Sequence, residues 1–264
     1  MSTSLQDVCQ HLALIAPLAL AESWDNVGLL VGDRASAVQN VMTCLTVTPS
    51  VVTEAVESNV DLVVTHHPVP FRPLSKITTD SLTGEMLWRL IRSGVAVYSA
   101  HTAFDSAGDG INQSWAKLLH LTSVGPIIDP EPGHELGAGR VGVLPAPTVA
   151  REVIERCVSH VNAVGPRYVG PIDRTVSRVG FACGSGGSFV AKAHRRRCEL
   201  LITGEATFHQ CLEAESFGMT LALIGHYYSE RFAMERLATQ LGAHFPELNV
   251  WASRNETNPV HPLG

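Results

Sequence analysis

Four apolar runs in this chain end in residues of the kinds that bind metals or move protons. Asp61-Leu62-Val63-Val64-Thr65 runs into His66 and His67, and Gly94–Ala100 ends at His101 with Asp105 four positions on. Glu199–Thr203 leads to Glu205 and His209, and Met219–Ile224 leads to His226 and Glu230. Imidazole nitrogens combined with carboxylate oxygens suit zinc, iron, manganese, cobalt or nickel, and suit calcium less. Adjacent residues on an extended chain point to opposite sides, with Cα atoms about 3.8 Å apart. Paired hydrolytic ions lie roughly 3.5–4 Å apart. His66 and His67 can therefore serve one ion each; equally, one can be a hydrogen-bonded core histidine and the other a solvated turn residue.

The remaining candidates also have two readings each. In a helix from Ser229 to Leu241, Glu230 shares a face with Ala233, Met234, Leu237 and Leu241. A carboxylate on that inward face needs a compensating partner, either a metal ion or an arginine such as Arg72 or Arg140. Asp105 fits a ligand or an ordinary turn residue. His101 fits a ligand or a residue that orients one, and Asp25-Asn26 fits a turn or a pair of hydrogen-bonding supports for ligands. Glu205 and His209 are the catalytic candidates, as proton carriers or substrate-facing groups, against a merely polar helix start. Gly184-Ser185-Gly186-Gly187-Ser188 between a strand and a helix could hold a phosphate on its N–H groups. It lacks both standard nucleotide fingerprints, so a tight packing turn is the other reading. His134 and the other scattered histidines read as surface or packing residues.

These groups need strands and helices to position them. Short Val-rich runs such as Asp61–Thr65, too short for a helix, read as fully covered strands. Pro68 closes that strand. Ser4 with Asp7 makes a capping box for a first helix. Strands and helices then alternate, with a loop over 102–110 and a loosely held tail after Arg254. A weak repeat sets Val41–Thr65 against Val179–Thr203 without a gap, and Gly94–His101 against Gly218–His226 with a small length change. The expected fold is therefore α/β, two similar strand-helix-strand halves with mixed sheets and the metal site in the cleft between them. Residues 1–125 form the first half and 126–264 the second, with the last helix and strand free to pack on the first. The Pro- and Gly-rich stretch from 122 to 140 marks the boundary.

Composition removes several classes. A chain of 264 residues with 45% hydrophobic content is long enough to bury a good core. Its net charge of −6 argues against a nucleic-acid-binding domain. The longest apolar stretch, Leu12–Ala21, is broken by Pro17 and too short to span a bilayer. No signal peptide is visible. Six cysteines without a C-x-x-C pair read as free thiols in a reducing cytoplasm.

Together, Ser23-Trp24-Asp25-Asn26-Val27-Gly28-Leu29, Thr65-His66-His67-Pro68, Ser99-Ala100-His101-Thr102 with Asp105, Thr203-Gly204-Glu205 with His209, and Gly225-His226 with Glu230 resemble one family. It is the YbgI-type dinuclear metal-centre family, whose members are often labelled GTP cyclohydrolase 1 type 2 homologues. The motifs occur in the family's order from residue 23 to 230. The resemblance implies two divalent metal ions held by His66, His67, Asp105, His226 and Glu230, with Glu230 bridging, and a toroidal homohexamer. It implies a metal-dependent hydrolase acting on a nucleotide or another phosphoester, GTP being the substrate the label names. A metal-binding assembly or trafficking protein without turnover is the expectation of another class.

Overall fold

The computed structural model describes residues 2–130 and 136–263. His134 and part of the expected boundary stretch lie outside the described residues. In chain order the elements are α1 (Leu5–Ile15), β1 (Gly28–Val31), β2 (Asn40–Cys44), α2 (Pro49–Glu57), β3 (Leu62–Thr65), α3 (Leu82–Arg92), β4 (Ala96–Ser99), α4 (His101–Ser106) and α5 (Ile111–Leu118). There follow β5 (Thr122–Gly125), β6 (Arg140–Val149), α6 (Ala150–Val161), β7 (Arg167–Val169), β8 (Thr175–Ala182), α7 (Val190–Arg195) and β9 (Leu200–Thr203). The chain closes with α8 (Phe208–Ser216), β10 (Thr220–Leu223), α9 (His226–His244) and β11 (Asn249–Ala252). Two compact units result, one of Met1–Phe104 with Ala233–Pro259, the other of Asp105–Phe232 with Val260–Gly264.

The first unit is built on a sheet of order β1-β4-β3-β2-β11, in which β4, β3, β2 and β11 run parallel and β1 is antiparallel. Every residue of β3 and β4 is buried, as the unbroken apolar runs require. Val51, Val52 and Ala55 of α2 and Met86, Leu87 and Leu90 of α3 form a core with Met42, Val63 and Val97 of the sheet. Ser4 caps α1 with the reciprocal Asp7 box.

The second unit carries a sheet of order β5-β6-β8-β9-β10-β7, parallel across β8, β9 and β10 and antiparallel elsewhere. Val190 and Ala193 of α7 and Ala214 of α8 pack with Leu201 and Leu221. The two halves are alike in arrangement: β2-α2-β3 followed by β4 has the order and direction of β8-α7-β9 followed by β10. An antiparallel strand flanks the third member in each, β1 beside β4 and β7 beside β10.

Two local expectations change. The stretch read as a loop over 102–110 begins instead with α4, whose Ala103 and Phe104 are buried. Six residues are too few to display a helical period, so burial forms this helix without a pattern to announce it. The tail after Arg254 is tied down as far as Glu256, which is buried and accepts hydrogen bonds from the backbone N–H groups of Leu45 and Thr46. No helix among the described residues is long and apolar enough to cross a membrane.

Candidate metal centre

In the first unit, β3 delivers His66 and His67 and the end of β4 delivers His101. One ring nitrogen from each of the three lies within 4.8 Å of the others. Their ring centroids are 5.0, 5.1 and 5.6 Å apart. His66 is buried, and its carbonyl accepts from Ser99 Oγ at 2.7 Å, which ties the end of β3 to β4. Thr46 Oγ1 lies 2.7 Å from His67 Nδ1. Asp25 Oδ1 lies 2.7 Å from His101 Nδ1, and its other oxygen accepts from the backbone N–H and hydroxyl of Thr102. Burial alone would raise the Asp25 carboxyl, but these bonds and the His101 imidazole hold it down to about 2. His101 itself takes φ +25, a conformation that costs free energy for a residue with a side chain. Asp25 thus bonds a histidine ring, whereas Asn26 donates to the Pro70 carbonyl at 2.7 Å.

In the second unit, the first turn of α9 presents His226 and Glu230 one turn apart. His226 Nε2 lies 3.0 Å from Glu230 Oε2, and its Nδ1 lies 2.9 Å from Glu205 Oε1. Glu205 also accepts from the Ser185 hydroxyl. Burial would lower the His226 imidazole, yet the two carboxylates, Glu230 before Glu205, outweigh it and raise the ring to about 9. A metal cation at Nε2 would take the place of that proton. The turn is fixed from behind: Ser229 Oγ accepts from Gly184 N–H at 2.9 Å, and the Ser229 carbonyl accepts from the Trp115 indole at 2.9 Å. Cys183 N–H donates to Asn112 Oδ1, Asn112 donates to the Asp105 carbonyl, and the Cys183 thiol donates to Asp105 Oδ1 at 3.0 Å. Burial, then the charges of Asp105 and Glu230, push that thiol well above its usual range, so it stays protonated.

These residues fit a divalent ion on two observations. His67, His101 and His226 each have Nδ1 engaged by a neighbouring oxygen, so a metal would be met at Nε2, which in His226 lies 3.0 Å from Glu230 Oε2. At Gly184, with φ +61, a Cβ would come within 2.2 Å of Glu230 Oε1 and 3.2 Å of His226 Nε2. Only glycine leaves the donors that space.

The structure brings Glu205 to His226 and Glu230, but places His209 on the exposed side of α8, with its ring against Phe208. Arg140, the candidate partner for Glu230, instead gives its guanidinium to Gln113 Oε1 and to the carbonyls of Ser106, Ala107, Gly137 and Gly139. The glycine loop is a packing turn. Its Gly184 and Gly186 N–H groups are committed to Ser229 Oγ and Thr203 Oγ1. Thr46, Asn112, Cys183 and Ser185 were missed by sequence reasoning. For Thr46 and Cys183 the available signal was position, since each stands one or two residues past the end of a strand.

An α/β chain of two related units, with imidazoles and carboxylates gathered at its strand ends, belongs to the class of proteins with donors suited to a divalent ion. The profile of the family Duf34/NIF3 (NGG1p interacting factor 3) matches residues 3–259, and the chain belongs to that family. A GTP cyclohydrolase 1 type 2 homolog of Clostridium perfringens is 36% identical over 227 residues, covering 86% of each chain. Staphylococcus aureus protein SA1388 superposes with a TM-score of 0.88 at 24% identity, covering 99% of each chain. Protein ybgI superposes with a TM-score of 0.82 at 24% identity, over 98% of this chain and 100% of its own.

Proposed function

We propose that this chain binds two divalent metal ions through His66, His67, Asp105, His226 and Glu230, with Glu230 bridging, and acts in the cytoplasm as a metal-dependent hydrolase. The observation that supports the reading is the common setting of His67, His101 and His226, each held at Nδ1 by an oxygen so that Nε2 would be the donor to a metal. Bound ions would supply Lewis acidity and an activated water near neutral pH. Glu205 holds the proton at His226 Nδ1 and is itself exposed, which suits it to pass protons to or from a substrate. His209, the alternative proton carrier, is exposed on α8 and would have to act from outside the His226–Glu230 cluster. The name of the Clostridium perfringens relative supports a nucleotide substrate, and the family resemblance supports a toroidal homohexamer.

The test is a metal-replete sample screened against GTP, other nucleotides and simple phosphoesters, with His67→Ala as control. Turnover that follows metal content and disappears in His67→Ala supports the reading. Metal bound without any turnover supports a second reading, a metal-binding assembly or trafficking protein. One observation favours that alternative: two N–H groups of the glycine loop, candidates for holding a phosphate, are already bonded within the protein.

A further inference from the structure

The segment after β11 is held by two buried carboxylates. Glu54, on α2, accepts from Trp251 Nε1 at 3.1 Å, from Ser253 Oγ at 2.7 Å, and from the N–H groups of Arg254 and Asn255 at 3.0 and 2.9 Å. Ser253 N–H donates to the Thr43 carbonyl at 2.7 Å. This seats Glu256, only 7% exposed, so that its two oxygens accept from Leu45 N–H at 2.9 Å and Thr46 N–H at 2.6 Å. Bonds from backbone N–H groups to a carboxylate are roughly twice as strong as neutral ones. Here they fix the two residues that follow β2.

Those two residues in turn hold His67 at both ends. The Leu45 carbonyl accepts from His67 N–H at 2.9 Å, and Thr46 Oγ1 meets His67 Nδ1 at 2.7 Å. Threonine is β-branched and stiff at χ1, so a fixed Thr46 backbone also fixes the place of Oγ1.

We propose that Glu256 is a positioning residue for the candidate metal centre: through the Leu45–Thr46 backbone it sets the Thr46 hydroxyl, which sets the ring of His67. The C-terminal segment is then part of what makes His67 a competent ligand. The inference rests on the reading of His67 as a metal ligand, but its first readout does not need metal.

In metal-free protein at fixed pH, the ¹⁵N signals of the two His67 ring nitrogens should report one dominant tautomer. Glu256→Gln and Thr46→Val should each move them toward the averaged pattern and leave those of His101 in place. In metal-loaded protein, each variant should weaken one ion about 10-fold in chelator competition, and the double variant about 10-fold as well, not about 100-fold. A full product of the two effects would mean that Glu256 acts on the fold and not through Thr46, and would overturn the proposal. So would a His67 tautomer unchanged in Glu256→Gln. If Glu256→Gln does not fold, Glu256→Asp, which keeps the charge and withdraws it by one methylene, takes its place with the same expectations. Should wild-type protein bind no metal while the ¹⁵N signals behave as stated, the metal reading fails and the positioning role stands.

Discussion

Residues 41–65 and 179–203 have the same strand pairing and different chemistry. From Val41 to Cys44, β2 pairs with β3 at the positions where, 138 residues later, β8 pairs with β9: Val41 with Leu62 and Val179 with Leu200, through Cys44 with Thr65 and Ala182 with Thr203. Even the clamp at the strand starts repeats. Asp61 Oδ2 accepts from the N–H groups of Gln39 and Asn40, and Glu199 Oε2 from those of Ser177 and Arg178. The strand ends then part company. The first unit continues into His66 and His67, and the second into Gly204 and Glu205. A Cβ at Gly204 would come within 2.6 Å of the Gly184 carbonyl and 2.8 Å of Ser229 Oγ, so no imidazole fits there. The second unit places its donors one strand later, on the first turn of α9. The strand frame is alike in both units, and the donor chemistry at its ends differs.

The largest effect should come from Glu230→Gln. Its shape is kept and the protein should fold, but at least one ion and any hydrolysis should be lost, because a carboxylate that bridged two cations would supply both oxygens and the negative charge between them. His66→Ala and His67→Ala should each weaken mainly one ion. Metal per chain, by elemental analysis across the three variants, reads this directly; loss of both ions in Glu205→Gln with retention in Glu230→Gln would move the bridge to another strand end. Next in size, Gly184→Ala should cost about 1–3 kcal/mol in urea unfolding and also reduce metal content, since the methyl meets Glu230 and the backbone is left-handed. The repeat itself is sharpened by Asp61→Asn and Glu199→Gln. Each removes a carboxylate from two N–H groups and should cost about 1–3 kcal/mol. A large cost on one side and none on the other would show that the two clamps are alike in geometry only.

The smallest effect concerns acid. Burial would raise the Glu54 carboxyl, but bonds from Arg254, Ser253, Asn255 and Trp251 hold it below its usual range. A depressed carboxyl contributes stability above its unfolded value, about 4.3, and that contribution is lost as pH falls through the lower folded value. The protection of the Arg254 and Asn255 amides against hydrogen exchange, taken relative to the intrinsic rate at each pH, should therefore fall in acid before that of β3. Equal loss of protection in both would remove Glu54 as the cause.

Much of this was legible in the sequence because it rests on short-range rules. The all-apolar runs of β3 and β9 announce covered strands, and the gapless match of 41–65 with 179–203 fixes their shared register. Glu230 is legible as a buried carboxylate from the face it shares with Met234 and Leu237; it is 3% exposed. What was not legible depends on partners distant in sequence. Thr46 gains its role only because β2 and β3 are neighbours, and Asp25 because His101 and Thr102 come to it across 76 and 77 residues. Glu256 looks like part of a polar tail until the chain folds it onto Leu45 and Thr46. α4 is simply too short to leave a periodic trace.

On the proposed function, imidazole nitrogens and carboxylate oxygens of this chain hold a pair of divalent ions. X-ray absorption at the metal edge, with elemental analysis on protein purified without chelator and then reconstituted, tests it most directly. The account predicts about two ions per chain, nitrogen and oxygen neighbours at roughly 2.0–2.2 Å if the metal is zinc, no sulfur in the coordination sphere, and a metal–metal distance of roughly 3.5–4 Å. No ion retained after reconstitution, or a sulfur neighbour at about 2.3 Å, would contradict it.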